Sequence, residues 1–200
     1  MQTLGLSAKP QPTDNIFKRL LWPVIANGYD ADLLGQQGFW LCFGVAVLSI
    51  IGLSAAGEPL LGLLVGAAYF LGGLGVRQND LAAASLIFLS YLLGRIASVE
   101  SMYLGLPSAN PILSIIATML LFANVRATML IRRWKSAGTS DDVGEMPERA
   151  SETLGDKIAN VLPEMFWPYA RFAFFVLVAI SMAVQILAMI GMPSLVRLAR

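Results

Sequence analysis

In a chain of 200 residues, 56% are hydrophobic, only 14% are charged and the mean hydropathy is +0.68, which excludes an ordinary soluble domain and predicts an integral membrane protein. The formal net charge of +1 supplies no basic stripe for a phosphate backbone and excludes nucleic acid as a partner. Histidine is absent and Cys42 is the sole cysteine, so histidine-held metal or haem, Ser-His catalysis, intrachain disulfides and CxxC redox pairs are excluded together and no cofactor is expected.

Residues 1 to 12 carry two prolines and few apolar groups, without the basic-then-apolar order of a signal peptide, so a disordered, uncleaved start is expected. From Asp14, a helix cap by type, Phe17, Leu20, Leu21, Val24 and Ile25 share one helical face beside Lys18 and Arg19. This predicts a short interfacial helix on the cytoplasmic surface, ended by Pro23 and a turn at Asn27-Gly28-Tyr29-Asp30.

Residues 38 to 57 are free of charge, and at 1.5 Å per residue such a run is about 30 Å long, one hydrocarbon thickness. Within them Cys42 reads as a small buried hydrophobe. After Glu58-Pro59, residues 59 to 76 form a second span with Gly62, Gly66, Gly72, Gly73 and Gly75. Gly62 and Gly66 make a GxxxG, expected to serve packing within the chain, with a dimer face as the alternative. Asp80 is placed to cap a third span at 81 to 97, on which Tyr91, Arg95 and Ser98 share one face. Asn110 as cap and Pro111 at the first helical position open a fourth span, which stops at Arg132-Arg133-Trp134-Lys135.

Residues 136 to 163 hold six acidic residues, Asp141, Asp142, Glu145, Glu148, Glu152 and Asp156, against Arg149 and Lys157, as expected of a cytosolic loop. Leu154, Ile158, Val161 and Leu162 predict a short amphipathic helix in its second half, ending before Pro163. A fifth span begins with an aromatic belt at Phe166, Trp167 and Tyr169 and is uncharged from Phe172 to Val196. The expected fold is therefore all-α: a membrane helical bundle of about five transmembrane helices, a four-helix core plus one, preceded by a short N-terminal interfacial helix. Its segments are a cytoplasmic stretch at 1–37, the four-span core at 38–131, an acidic cytoplasmic loop at 132–163 and a fifth span at 164–200.

Lysine and arginine in the loops fix the expected orientation. With the N-terminus in the cytoplasm, all fourteen basic residues except Arg95, Arg197 and Arg200 fall on the inner side, and the C-terminus falls outside.

Residues 38 to 131, with a third span ending in Gly94-Arg95 and an apolar turn of Gly105, Pro107 and Ser108 leading into the fourth, resemble small uncharacterised four-span inner-membrane families of bacteria, including the DoxX-like group. The resemblance implies a four-helix bundle of bacterial inner-membrane type.

Because every acidic residue lies outside the central thickness of the spans, ion-coupled transport and intramembrane aspartyl proteolysis are disfavoured. The candidate binding residues are Tyr91, Arg95, Ser98, Glu100 and Asn110, with no catalytic set and no metal site. Arg95 stands 14 residues into its helix, roughly 21 Å along a core of about 30 Å, where an arginine needs compensation. Two readings follow: an ion pair with Glu100, which needs a helix break after Ser98, or a snorkelled cation closing the outer end; or else a pocket for an anion or lipid headgroup. Asn124 is a further buried polar group, and Arg126, Arg171 and Gln185 read as structural, the arginines snorkelling and Gln185 gluing helices. The favoured function is a non-catalytic accessory or lipophile-binding membrane component. The alternatives are an enzyme acting on a lipid-like substrate at the outer interface and an oligomeric channel or exporter. Expected partners are membrane lipids, other membrane subunits or further copies of the chain.

Overall fold

A computed structural model describes Pro23, Ile25 and residues 28–103, 110–136 and 154–198. These form five helices: α1 (Gly28–Ala55), α2 (Pro59–Arg77), α3 (Leu81–Tyr103), α4 (Pro111–Ser136) and α5 (Leu154–Leu198). Among the described residues there is no strand, and the fold is an all-helical bundle. Four segments are long and apolar enough to cross a membrane, at Asp30–Ala55, Pro59–Arg77, Pro111–Trp134 and Val161–Ile190. The apolar stretch of α3, Leu81–Ala97, is shorter.

Glycine makes α2 the central helix. Hydrocarbon tails give helices no hydrophobic reason to associate, so close backbone approach and interdigitation hold them together. A Cβ added at Gly62 would lie 3.2 Å from the Ile50 carbonyl oxygen, and one at Gly66 would lie 3.1 Å from that of Ala46. The GxxxG is thus filled by α1 of the same chain. The opposite side of α2 is as tight, since a Cβ at Gly72 would strike Ile87 of α3 and Phe174 of α5, and one at Gly75 would strike Ala83 of α3 and Trp167 of α5. Around α2 stand α1, α5 and α3, and α4 closes the assembly by packing on α1 and α3.

This arrangement revises the expected four-helix core plus one. Trp167, Phe174 and Val178 of α5 are 7%, 0% and 1% exposed and share one core cluster with Phe39, Cys42, Leu74, Ile87 and Leu121. The fifth helix completes the core because Phe174 and Trp167 share with Ile87 and Ala83 of α3 the groove left by Gly72 and Gly75.

Two boundaries also differ from expectation, and a third lies outside the described residues. Gly28, Tyr29 and Asp30, expected in a turn, belong to the first turn of α1, which therefore begins ten residues before position 38. Burial explains the early start: Ala31 and Leu34 are 0% and 2% exposed in a second cluster with Ile25 and with Ala123 and Ala127 of α4. Within residues 14 to 25, where the interfacial helix was expected, only Pro23 and Ile25 are described, both buried and neither helical. Finally, no separate amphipathic helix stops at Pro163, because α5 is continuous across Pro163 and Pro168 for 45 residues.

The continuity of α5 has a specific support. Proline donates no backbone hydrogen bond, so Pro163 leaves the carbonyl of Ala159, one helical turn earlier, without its usual partner. Arg77 Nε of α2 donates to that carbonyl at 3.2 Å. The same guanidinium grips the Asp32 carboxylate of α1 with both terminal nitrogens, Nη1 to Oδ1 and Nη2 to Oδ2 at 3.3 Å. Arg77 stands in the last turn of α2, where the helix dipole favours a cation. One side chain therefore ties three helices at this end of the bundle.

The two cap assignments hold. Asp80 Oδ1 accepts from the backbone N–H groups of Ala82 and Ala83 at 3.0 and 3.4 Å, and Asn110 Oδ1 accepts from those of Ile112 and Leu113 at the same distances. Asn79 occupies the left-handed region at φ 55° between α2 and α3, a conformation that asparagine tolerates.

Candidate functional site

Across an apolar bundle, polar side chains draw attention where the protein keeps them without neutralising them. Two such groups lie in the half of the bundle that contains the α1–α2 turn and the start of α4.

The first centres on Arg95. Its guanidinium sits over the Tyr91 ring, 5.1 Å from the centroid, as residues four apart on one helix allow. Nη1 donates to Ser114 Oγ of α4 at 3.2 Å, and Ser114 Oγ in turn donates to the backbone carbonyl of Asn110 at 2.9 Å. With its proton committed to Asn110, the serine hydroxyl is left to accept from the arginine. Arg95 Nε is buried and has no hydrogen-bond partner. Ser114 lies one turn inside α4 from its cap, about 6 Å, so this contact lies below the helix end.

The second group joins α3 to α5. Gln185 Nε2 donates to Ser181 Oγ at 3.2 Å and to Ser90 Oγ at 3.4 Å, while Gln185 Oε1 is buried without a partner, facing the backbone at Gly94. Tyr69 of α2 lies beside Ser90 and meets Tyr91 edge-on, with centroids 6.5 Å apart. Tyr69, Ser90, Tyr91 and Ser181 are 5%, 1%, 8% and 1% exposed, so the cluster is internal and does not face lipid.

Of the candidate residues read from sequence, the structure brings Tyr91 and Arg95 together and links Asn110 to them through Ser114. Asn110 also acts as the α4 cap, which accounts for its side chain. The side chains of Ser98 and Glu100 lie outside the described residues, but the backbone bears on their roles. Helix α3 continues to Tyr103, so the break after Ser98 that an Arg95–Glu100 pair requires is not there. Five residues on an unbroken helix place Glu100 about 140° around from Arg95.

Arg126 and Arg171, expected to snorkel, each hold a partner within the chain. Arg126 Nη1 donates to the Pro23 carbonyl at 3.1 Å, and Arg171 Nε pairs with Asp80 Oδ2 at 3.2 Å. Asn124, 2% exposed, donates through Nδ2 to the Leu120 carbonyl at 2.9 Å and packs its amide against Gly38, where a Cβ would lie 2.4 Å from Oδ1. Sequence reading missed Tyr69, Ser90, Ser114 and Ser181. The available signal was the i, i+4 spacing of Ser181 with Gln185 and of Asn110 with Ser114, which puts each pair on one face.

The arrangement can hold an anion. Among the described residues the partners of Arg95 are a hydroxyl and an aromatic face, both neutral. A planar fork of donors with one buried nitrogen left over suits a carboxylate or phosphate.

Comparison of the chain with protein-family models, curated proteins and solved structures finds no match, and the DoxX-like resemblance rests on the residues that carry it.

Proposed function

We propose that this protein is a non-catalytic membrane component that binds an amphiphile, with the acidic head of the ligand at Arg95 and its apolar tail among the helices. The observation that carries the proposal is the buried Nε of Arg95 in a setting of neutral partners. An intramembrane arginine is costly, roughly 2.5 to 3.5 kcal/mol on insertion scales, and persists where a ligand, a partner or water compensates it. No reaction is assigned, because the described cluster pairs no nucleophile with a base.

Native mass spectrometry of the protein in mild detergent tests the proposal. The wild type should retain a discrete acidic amphiphile that Arg95→Gln loses by about tenfold or more, as expected when one charge-assisted pair worth 1.5 to 3 kcal/mol is removed. Both proteins should keep the same helicity. Equal retention by both would reject the site.

The setting we propose is a bacterial inner membrane, with the N-terminus in the cytoplasm and the C-terminus outside. The placement of basic residues supports it, Arg77, Arg126, Arg132, Arg133 and Arg171 all lying towards the end of the bundle that carries the α2–α3 turn. In a Cys42→Ser background, a cysteine at Ser140 should react with an impermeant thiol reagent only in opened cells, and one at Ser108 should react in intact cells. The reverse pattern would invert the orientation.

A further inference from the structure

At the end of the bundle opposite Arg95, the start of α3 and the end of α4 enclose an open pocket of about 630 Å³ lined by Leu81, Met129, Arg132, Arg133 and Ser136. Its wall is split by chemistry, with Leu81 and Met129 apolar and the two arginines and the serine polar. Arg132 stands 21 residues after Pro111, so the rise along α4 is about 32 Å, one hydrocarbon thickness. The apolar part therefore lies within the acyl region and both guanidinium groups lie at headgroup level, whichever way the bundle is inserted.

The carboxylate beside Leu81 in the chain is already engaged. Asp80, next to Leu81, uses Oδ1 to cap α3 and Oδ2 to pair with Arg171. Ser136 Oγ donates to the Arg132 carbonyl at 2.9 Å, and Arg132 and Arg133 are exposed.

We infer that this pocket binds the phosphate of an anionic phospholipid, held between Arg132 and Arg133 with an acyl chain along Leu81 and Met129. The phosphate chemistry alone would also admit free phosphate, but the apolar wall at acyl depth has no use for it and marks a lipid. Basic recesses between spans at the membrane surface recognise anionic headgroups on these principles. The site is separate from Arg95 and stands or falls independently of the function proposed for it.

The test uses the full chain in mixed micelles and follows thermal unfolding and native mass spectra on addition of phosphatidylglycerol, phosphatidylcholine or inorganic phosphate. Phosphatidylglycerol should raise the melting temperature and remain bound, and the other two probes should do neither. Each arginine near an anionic headgroup contributes about fivefold to affinity, so Arg132→Gln with Arg133→Gln should weaken phosphatidylglycerol binding about thirtyfold. Met129→Trp, which fills the apolar wall without altering charge, should also reduce it and guards against a folding defect in the charge variant. Equal effects of both lipids, or retention by both variants, would overturn the site. An effect of inorganic phosphate alone would overturn the lipid assignment. A gain in lipid binding only after Asp141, Asp142 and Glu145 are neutralised would also overturn it, by showing that the chain fills its own pocket.

Discussion

Truncation after Ser136, which removes α5, should destroy the bundle: the fragment should be degraded in cells and aggregate in mild detergent, with no monodisperse folded fraction. The expectation follows from what α5 covers. Phe174 and Trp167 occupy the notches at Gly72 and Gly75, and without them α2 presents two glycine grooves that lipid tails fill poorly. Ser90 loses its hydrogen bond from Gln185, and Arg77 loses the Ala159 carbonyl. Since association of membrane helices rests on packing and interhelical hydrogen bonds, losing both along one side of the central helix leaves little to define one structure. Supplying residues 137–200 as a separate polypeptide should restore a stable complex. A truncated fragment that purifies as a monodisperse, fully helical species would show that four helices suffice.

Arg77→Met should be the most damaging single substitution outside the glycine notches, lowering stability by about 3 kcal/mol, the low end of the range for breaking a buried ion pair, because Asp32 is 23% exposed and keeps some water. The loss has two separable causes, and each has its own rescue. Asp32→Leu in the Arg77→Met background removes the stranded carboxylate. Pro163→Ala restores a backbone N–H for the Ala159 carbonyl, at about 1 kcal/mol for the regained hydrogen bond. A double-mutant cycle on thermal unfolding in detergent should find positive coupling of Arg77 with each of the other two residues. Pro163→Ala in the wild-type background should gain less than it does with Arg77→Met, since the carbonyl is already satisfied there. If Pro163→Ala gives the same change in both backgrounds, Arg77 does not serve the orphaned carbonyl.

The Arg95 site was legible in part, and for identifiable reasons. Tyr91 and Arg95 lie four residues apart on one helix, so helical geometry alone forecasts that they meet. Ser114 is 19 residues from Arg95 and on another helix, and nothing local marks it. The proposed pairing of Arg95 with Glu100 depended on where α3 ends, and a run such as Ala97-Ser98-Val99-Glu100 contains no glycine or proline to decide it. At Pro163 the local rule pointed the wrong way, because the missing donor to the Ala159 carbonyl was supplied by Arg77, 82 positions before that carbonyl.

What the sequence determined by itself were the properties carried by composition and short spacing. Apolar runs of hydrocarbon length required helices that satisfy their own backbone in lipid, Asp80 and Asn110 with Pro111 marked two helix starts, and glycine at i and i+4 marked a close crossing. The tertiary structure alone decided which helix each surface meets: that α2 is central, that α5 belongs to the core, and that Arg77 binds α1 and α5 at once. Those outcomes depend on contacts between residues far apart in the chain, where steric fit and the need to satisfy each buried polar atom act only after the helices have come together.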